Sequence, residues 1–379
     1  MAVDRPLKIG ITCYPSVGGS GILALELGEE LAARGHEVHF ISYERPFRMA
    51  ADTPRMFFHP VVVSGYDLFK YPDYTLPLSV KMAEVTRDHG LDVLHVHYAV
   101  PHATAALLAR AMLPANIRPS VVTTLHGTDT TLLGRDPGYG PAIRYALEES
   151  DAVTTVSEFL RTETQRLLGV QRPIDVIYNF FEPRSPTRSR EAVRAELGLR
   201  DGEALVLHLS NLRPLKRIDL LLESAARVRP RDGFKLMILA GGDFSVYLPE
   251  VKRLGLVDRV IVKSNVLAIE DYLQAADLGL FTSEVESFCL SILELMAFGV
   301  SSVATAVGGI PEVITDGEHG SLVHTHDADS LARAVEALLR DVPRRVALGH
   351  AARERARGLF SAAQIVPRYE ALYRRVRAR

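Results

Sequence analysis

The sequence lacks tryptophan and has only two cysteines, Cys13 and Cys289. Because these stand far apart in apolar or loop contexts, we expect neither a disulfide framework nor a thiolate metal site. The chain also lacks any run of about 20 apolar residues, which is the length that a membrane-spanning helix needs. Its start leads into an apolar strand without the basic and apolar segments of a secretory signal. We therefore expect a cytoplasmic protein with no stable membrane association.

An excess of charge of either sign is missing as well. The formal net charge is −2 at pH 7, from 44 Lys and Arg against 46 Asp and Glu. No global field therefore draws the chain to nucleic acid or to an anionic bilayer. The basic segment 373–379 is too small to alter this and is expected to be the solvated face of a helix. Any anion site must be local.

Short apolar runs alternate with amphipathic stretches along the whole chain, and the pattern occurs twice. Predicted strands of the first half are 8–12, 37–42, 93–97, 120–125, 152–156 and 176–178, and those of the second half are 204–210, 235–240, 260–263, 278–281 and 302–305. The stretch 23–33 predicts the first helix and stops before Gly35. This alternation is typical of a doubly wound parallel α/β sheet, so we expect two Rossmann-like domains.

A segment rich in proline and charge, 182–190, separates the two halves and is typical of a linker. We expect an N-terminal domain over residues 1–183 and a C-terminal domain over 184–359. The helical segment 360–379 is expected to pack back onto the N-terminal domain.

The first half carries glycines and histidines at predicted strand ends. Gly18, Gly19 and Gly21 lie between the first strand and the first helix, where free N–H groups attract anions. Their spacing is not the dinucleotide fingerprint, and a tight turn alone would also explain them. Histidines at later strand ends predict a polar site for a small hydroxylated substrate, and these are His95, His97, His102 and His126. Zinc is a rival that we disfavour, because no thiolate or carboxylate pair stands at ligand spacing.

Two segments of the second half suit a nucleotide-linked sugar. Arg213 and Lys216 follow a strand and precede a helix, which makes a local anion site for a diphosphate; a solvated basic loop is the alternative. Glu286 and Glu294 have seven residues between them. Because carboxylates accept hydrogen bonds from vicinal hydroxyls, the pair could hold two ends of one ligand, unless they are unrelated surface residues.

Together, the glycine segment, the cationic segment 210–217, the Glu286 to Glu294 spacing and the segment 307–312 resemble the retaining glycosyltransferases of the GT-B fold, family 4 type. Longer stretches resemble the members of that family that make glucosaminyl malate, and these are 11–21, 36–41, 46–48, 95–99, 122–129 and 148–151. The resemblance implies transfer of N-acetylglucosamine from UDP-N-acetylglucosamine (UDP-GlcNAc) to the hydroxyl of L-malate, the first step of bacillithiol biosynthesis. It also implies a homo-oligomer, a dimer or larger.

The resemblance implies a role for residues of each half. Catalysis would fall on His126, Arg213, Lys216 and Glu286. Donor binding would fall on Gly18, Gly19, Ser210, Asn211, Arg213, Lys216, Glu286, Phe288, Cys289, Leu290 and Glu294, and acceptor binding on Ser16, Tyr98, Thr124, His126, Thr128, Arg144 and Asn179. Arg144 also suits a dicarboxylate on physical grounds, since guanidinium binds carboxylate through two hydrogen bonds. By the same resemblance no metal or other cofactor is expected, because Arg213 and Lys216 would stabilise the charge of the diphosphate.

Two positions depart from the family pattern. Cys289 stands where the family usually has glycine and could crowd the donor, and Gly241-Gly242-Asp243 replaces a Gly-Asp/Glu-Gly-Pro run near the uracil pocket. Three alternative functions remain open: a UDP-GlcNAc 2-epimerase, a non-catalytic nucleotide-sugar sensor, and a transferase with another small acceptor or a lipid acceptor. The segment 68–71 is the candidate membrane-facing patch for the lipid alternative.

Overall fold

The computed structural model describes residues 5–15, 19–63, 73–229 and 233–377. The chain divides into two compact units: unit 1 comprises Met1–Asn179 and Ala362–Arg379, and unit 2 comprises Phe180–Ser361. The division falls after Asn179, where the sequence analysis places it at residue 183. Two predicted site residues, Ser16 and Gly18, lie outside the described residues, as does the segment 68–71.

Unit 1 contains a parallel sheet of seven strands in the order β3-β2-β1-β4-β5-β6-β7. The strands are β1 Lys8–Thr12, β2 Glu37–Ser42, β3 Met56–Pro60, β4 Val93–His97, β5 Ser120–Leu125, β6 Ala152–Thr155 and β7 Ile174–Val176. The central strands are buried on both faces, which explains why they appear in the sequence as continuous apolar runs. The sequence analysis missed β3, which is a half-exposed edge strand, and placed β7 at 176–178, where three residues gave too little pattern.

Unit 2 contains a parallel sheet of six strands in the order β10-β9-β8-β11-β12-β13. The strands are β8 Ala204–Ser210, β9 Phe234–Ala240, β10 Val260–Ser264, β11 Leu278–Phe281, β12 Ser302–Thr305 and β13 Gly320–Val323. All five strands predicted for this half are confirmed to within one residue at each end. The edge strand β13 was missed because only two of its four residues are buried.

Helices cover both sheets. They are α1 Gly19–Ala33, α2 Thr75–His89, α3 Thr104–Met112, α4 Thr128–Thr131, α5 Tyr139–Glu149, α6 Glu158–Leu168, α7 Arg190–Glu196, α8 Ile218–Arg227, α9 Leu248–Arg253, α10 Glu270–Ala275, α11 Leu290–Ala297, α12 Ile310–Val313, α13 Ala328–Arg340, α14 Val342–Leu359 and α15 Ala362–Arg377. Within the described ranges, none of these helices combines the length and the apolar character that crossing a bilayer demands.

The strand order reverses once in each sheet. In unit 1, β1 lies between β2 and β4, and in unit 2, β8 lies between β9 and β11. In open α/β sheets, ligands bind beyond the carboxyl ends of the strands at such a reversal. A ligand site is therefore expected in unit 1 among the side chains that follow β1, β4 and β5. In unit 2 it is expected among those that follow β8 and β11.

The last helix of the chain, α15, belongs to unit 1 although all of unit 2 precedes it in sequence. Its buried face includes Tyr369 and Tyr373. The Tyr373 hydroxyl lies 2.7 Å from His95 Nδ1, and the Tyr369 ring stands 5.3 Å from the His95 ring. The end of the chain thus contacts β4 directly.

Candidate active site

In unit 1, two histidines meet where β4 and β5 end. His97 is the last residue of β4, and His126 directly follows β5. His97 Nδ1 lies 2.8 Å from His126 Nε2, with the rings nearly parallel at 19°. Desolvation lowers the pKa of His126 to about 4 and that of His97 well below its ordinary value. Both imidazoles are therefore neutral at pH 7, and in the hydrogen bond between them one ring donates its N–H and the other accepts.

A second layer of polar groups lies beside this pair. His95 Nε2 is 2.7 Å from Thr124 Oγ1, and Thr124 Oγ1 is 2.6 Å from Thr154 Oγ1. Burial lowers the pKa of His95 to about 3, so this ring is neutral too. Thr124, which the resemblance assigns to the acceptor, is completely buried and contacts His95 and Thr154. In this structure it supports the histidines from within the sheet.

Tyr98, which the resemblance also assigns to the acceptor, lies next to His126. The two ring centroids are 5.3 Å apart. The Tyr98 hydroxyl lies 2.7 Å from Ser20 Oγ in α1, so the loop after β4 is joined to the helix that begins at Gly19. The backbone of Tyr98 has a φ of 80°, a left-handed conformation that few non-glycine residues adopt. Such backbone strain is found mostly where surrounding contacts hold a functional side chain in place.

Asp129 is a residue of this site that sequence reasoning did not select. Its Oδ1 accepts a hydrogen bond of 2.9 Å from the backbone N–H of Ala99, which joins the loop after β4 to α4. Burial raises the pKa of Asp129 to about 7. The sequence feature that could have identified Asp129 was its position in the segment 122–129, one residue after the partly exposed Thr128 and three after His126.

Two other predicted acceptor residues come later in the sequence of unit 1. Arg144 is an exposed residue of α5, and its Nη1 would be 3.7 Å from a Cβ atom placed on Gly169. Asn179 is partly buried and is the last residue of the first segment of unit 1. In the described part of the chain, neither residue has a hydrogen bond to His97 or His126.

In unit 2, a buried ion pair joins the loops that follow β8 and β11. Lys216 Nζ pairs with Glu286 Oε1, which also accepts a hydrogen bond of 2.9 Å from Ser283 Oγ. The two side chains are only 18% and 9% exposed. Desolvation is the largest single effect and lowers the pKa of Lys216, but the charge and hydrogen bond of Glu286, together with the nearby Cys289, outweigh it, so the pKa is raised. Lys216 therefore stays charged.

Backbone contacts hold these two loops together as one body. Thr282 Oγ1 donates to the carbonyl oxygens of Lys216, at 3.1 Å, and of Arg217, at 3.0 Å. The backbone N–H of Glu284 donates to the carbonyl of Leu215 at 2.8 Å. The ion pair is thus placed by main-chain geometry and not by two long, free side chains.

A glycine turn supports Glu286 from the other side. Gly308 has a φ of 56°, and a Cβ atom added to it would lie 1.8 Å from the carbonyl oxygen of Glu286. The N–H of Gly309 donates to that same oxygen at 3.0 Å. A residue with any side chain at 308 would displace Glu286. The paired glycines in the segment 307–312 were noted in the sequence, but this function was not deduced from them.

Cys289 caps the amino end of α11 with a φ of 73°, again in the left-handed region that favours glycine. Its thiol is buried, and desolvation raises its pKa well above the ordinary value. Phe288 is buried against Phe360, with the rings edge to face at 5.6 Å. Glu294 is buried in the second turn of α11, while Glu286 precedes that helix.

The remaining predicted donor residues follow β8. Ser210 Oγ lies 2.9 Å from His208 Nε2, whose ring is neutral because burial lowers its pKa to about 4. Asn211 and Arg213 are exposed, and Leu290 is partly buried at the start of α11. At Gly241, where the sequence departs from the family pattern, a Cβ atom would come within 3.3 Å of Asn211 Cα, so the two loops approach closely.

In the part of the chain that the structure describes, neither of these two places brings three potential metal ligands together. Among the described residues, the group whose ligand atoms all lie within 4.8 Å of one another is His39, His59 and His89. The rival zinc set that the sequence suggested, at His95, His97 and His126, is not such a group.

Each half of the chain matches a different family model of known proteins. A family model described as "Glycosyltransferase Family 4" matches residues 17–184, and one described as "Glycosyl transferases group 1" matches residues 189–355. The N-acetyl-alpha-D-glucosaminyl L-malate synthase of Bacillus anthracis is 43% identical over 369 residues, which is 97% of this chain and 96% of that protein.

Solved structures agree with the predicted GT-B fold and confirm it. A sucrose-phosphate synthase from Thermosynechococcus elongatus is 23% identical with a TM-score of 0.82, covering 98% of this chain and 99% of that one. The Anabaena protein HepE, solved with UDP-glucose, is 19% identical with a TM-score of 0.79, covering 97% and 99%.

Proposed function

Because the chain belongs to the glycosyltransferase family, we propose that it transfers N-acetylglucosamine from UDP-GlcNAc to the hydroxyl group of L-malate. The observation that carries this proposal is the 43% identity to the malate synthase along 97% of the chain. The transfer would be the first step of bacillithiol biosynthesis, as the sequence resemblance implies.

We assign the donor to unit 2. A diphosphate needs cations, and Lys216 is held charged at the end of β8 with Arg213 exposed in the same loop. Glu286, beside Lys216, would accept hydrogen bonds from hydroxyls of the sugar, and Glu294 from those of the ribose. That HepE shares this fold and was solved with UDP-glucose supports a UDP-sugar as the donor class.

The proposed reaction retains the configuration of the sugar. The bond between the anomeric carbon and the diphosphate oxygen breaks, and a bond to the malate hydroxyl oxygen forms on the same face. The departing diphosphate takes the hydroxyl proton. Negative charge grows on the diphosphate in this transition state, and Lys216 and Arg213 would stabilise it electrostatically. With two cations in that role, we expect the reaction to need no metal.

We assign the acceptor to unit 1. His126 is neutral, so its imidazole can hydrogen-bond a hydroxyl group without adding charge to the site. Its Nε2 is engaged by His97, which leaves Nδ1 for a substrate. Tyr98 and Thr128 add hydroxyls next to it, and Arg144 would bind a malate carboxylate. In this proposal His126 positions a substrate and is not the general base.

The decisive experiment incubates the purified chain with UDP-GlcNAc and a series of acceptors. We expect free UDP together with an α-linked glucosaminyl malate, identified by NMR, when L-malate is present, and neither product without it. An epimerase would instead release UDP and N-acetylmannosamine without malate. Equal product with malate and with unrelated alcohols would overturn the acceptor assignment, and full activity in EDTA is expected.

A further inference from the structure

Three histidines converge at the edge of the unit 1 sheet, in a part of the fold that the proposed transfer does not use. His39 lies in β2, His59 in the neighbouring strand β3, and His89 is the last residue of α2. One ring nitrogen from each lies within 4.8 Å of the other two. The ring centroids are separated by 4.6 to 5.2 Å.

The orientation of His39 is fixed by a carboxylate. His39 Nε2 lies 2.9 Å from Glu37 Oε1, and Glu37 is in turn paired with Lys8 at 3.3 Å. Because a carboxylate accepts hydrogen bonds, Nε2 carries the proton and the lone pair is on Nδ1. Nδ1 is the atom that faces the other histidines, 2.9 Å from His59 Nε2. Metal-binding histidines characteristically donate their second N–H to a carboxylate in this way.

The surroundings suit a bound cation that enters from solvent. His39 is completely buried, His59 is partly buried and His89 is exposed, so the group opens to water on the side of α2. Burial lowers the pKa of His39 and brings that of His59 to about 4, so both rings are available as neutral ligands. The Phe57 ring stacks on His39 at 5.0 Å and closes one side of the group.

We propose that His39, His59 and His89 bind a divalent transition metal, Zn²⁺, with water in the fourth position. Zinc–nitrogen bonds of about 2.0–2.1 Å in a tetrahedral site require ligand nitrogens roughly 3.4 Å apart. The present spacing reaches this through small rotations of the side chains, since one pair is closer and the others lie within 4.8 Å. The ion would join the edge strand β3 and the end of α2 to β2, a structural role separate from the transfer reaction.

The test titrates ZnCl₂ into the whole purified chain, stripped with a chelator and dialysed, and follows binding by calorimetry. We expect one equivalent to bind, and Co²⁺ to show the visible absorption of tetrahedral coordination. His89→Ala and His59→Gln should each weaken binding at least about tenfold, and Glu37→Gln should weaken it less. His350→Ala, an exposed histidine of α14, is the matched control and should bind as the unaltered chain does.

His89 is exposed, so its substitution leaves the fold intact and keeps the test interpretable. Zn²⁺ should also raise the unfolding midpoint of the unaltered chain and of His350→Ala, but not that of His89→Ala. The proposal is overturned if the unaltered chain shows no saturable binding, or if His89→Ala and His59→Gln bind Zn²⁺ as tightly as His350→Ala. In that case the three rings are only a hydrogen-bonded stack.

Discussion

The two units place polar groups at the same point of similar sheets, but they control the charge of those groups by opposite means. At the ends of β4 and β5, His97 and His126 are neutral because they are desolvated and, among the described residues, no carboxylate pairs with either ring. At the ends of β8 and β11, Lys216 is also desolvated, yet Glu286 keeps it charged. Burial favours the neutral form of the bases in both units. The presence of a counter-ion then decides whether a buried base keeps its proton.

The difference matches the substrates proposed for each unit. A diphosphate that gains charge during the reaction requires a permanent cation, which an ion pair provides. Hydroxyl groups require donors and acceptors that do not compete for a proton, which neutral imidazoles provide. The predictions below test this contrast between charge in unit 2 and neutrality in unit 1.

The largest effect is expected for Glu286→Gln, which keeps the shape of the side chain and removes its charge. Lys216 would lose its counter-ion and the donor would lose a carboxylate. We expect kcat/KM for glucosaminyl transfer to fall by about 10²–10³-fold. The control is Glu284→Gln, an exposed residue of the same loop. If the two variants are equally active, the ion pair has no part in transfer.

The second effect concerns how Glu286 is held. Gly308→Ala places a Cβ atom against the Glu286 carbonyl, so the loop must move, and a shift of about 1 Å can lower kcat/KM by about 10²-fold. Gly317→Ala is a matched control, because Gly317 also has a positive φ, 73°, but no atom lies within 4 Å of its added Cβ. UDP binding by calorimetry should weaken in the first variant alone. Equal weakening in both would point to backbone strain instead.

The third prediction concerns His126. His126→Ala should lower kcat by about tenfold, less than the removal of a general base costs, because the imidazole positions a substrate without transferring a proton. Since burial lowers the pKa of His126 to about 4, kcat/KM of the unaltered chain should show no inflection from this group between about pH 5.5 and 7.5. Unchanged turnover of the variant, or an inflection that His126→Ala abolishes, would contradict the assigned role.

The fourth prediction is that acid loosens unit 1 before unit 2. Desolvation lowers the pKa of at least four histidines beside its site, which are His95, His97, His102 and His126. In the unfolded chain these histidines bind protons below their ordinary pKa of 6.5, whereas in the folded chain they bind them only at about pH 3 to 4. The free energy of unfolding therefore falls as the pH falls. Each group contributes up to about 1.4 kcal/mol per pH unit in that window.

Asp129 acts in the opposite direction, since its folded pKa of about 7 is above its ordinary 3.8, and it offsets one histidine. Among the described residues of unit 2, His208 is completely buried with a pKa of about 4, and desolvation also lowers the pKa of the partly buried His319. Hydrogen exchange, corrected for intrinsic rates, should therefore show β4 and β5 losing more protection than β8 and β9 between about pH 7 and 5. Equal losses in the two sheets would show that the buried histidines do not set the difference.

The smallest effect is expected at Cys289. Cys289→Gly relieves a left-handed backbone strain of about 1–2 kcal/mol. It also removes a buried thiol and increases the conformational entropy of the unfolded chain, so the free energy of unfolding should change by less than about 1 kcal/mol. Cys289→Val should destabilise clearly more, because a β-branched residue fits that conformation poorly. Denaturant unfolding measures both. If Cys289→Gly lost more stability than Cys289→Val, the packing of the side chain at this position would matter more than the backbone strain.

Much of this architecture could be predicted from the sequence, because buried parallel strands appear as apolar runs and active residues of such sheets follow strand ends. The pairing of Lys216 with Glu286 could not be predicted. The two residues are 70 positions apart, and their contact depends on β8 and β11 being neighbours, which the crossover order fixes and sequence spacing does not. The histidine group at the sheet edge was missed for a related reason, since β3, which carries His59, was not recognised as a strand.

The return of α15 to unit 1 has a consequence for how the protein is made. A ribosome synthesises all of residues 180–361 before the helix that contacts His95 exists. The N-terminal half therefore waits, with that side of its sheet uncovered, until the C-terminal half has been translated. A product terminated before α15 could contain a finished unit 2 but never a finished unit 1, so the acceptor binding proposed for unit 1 would require the synthesis of α15.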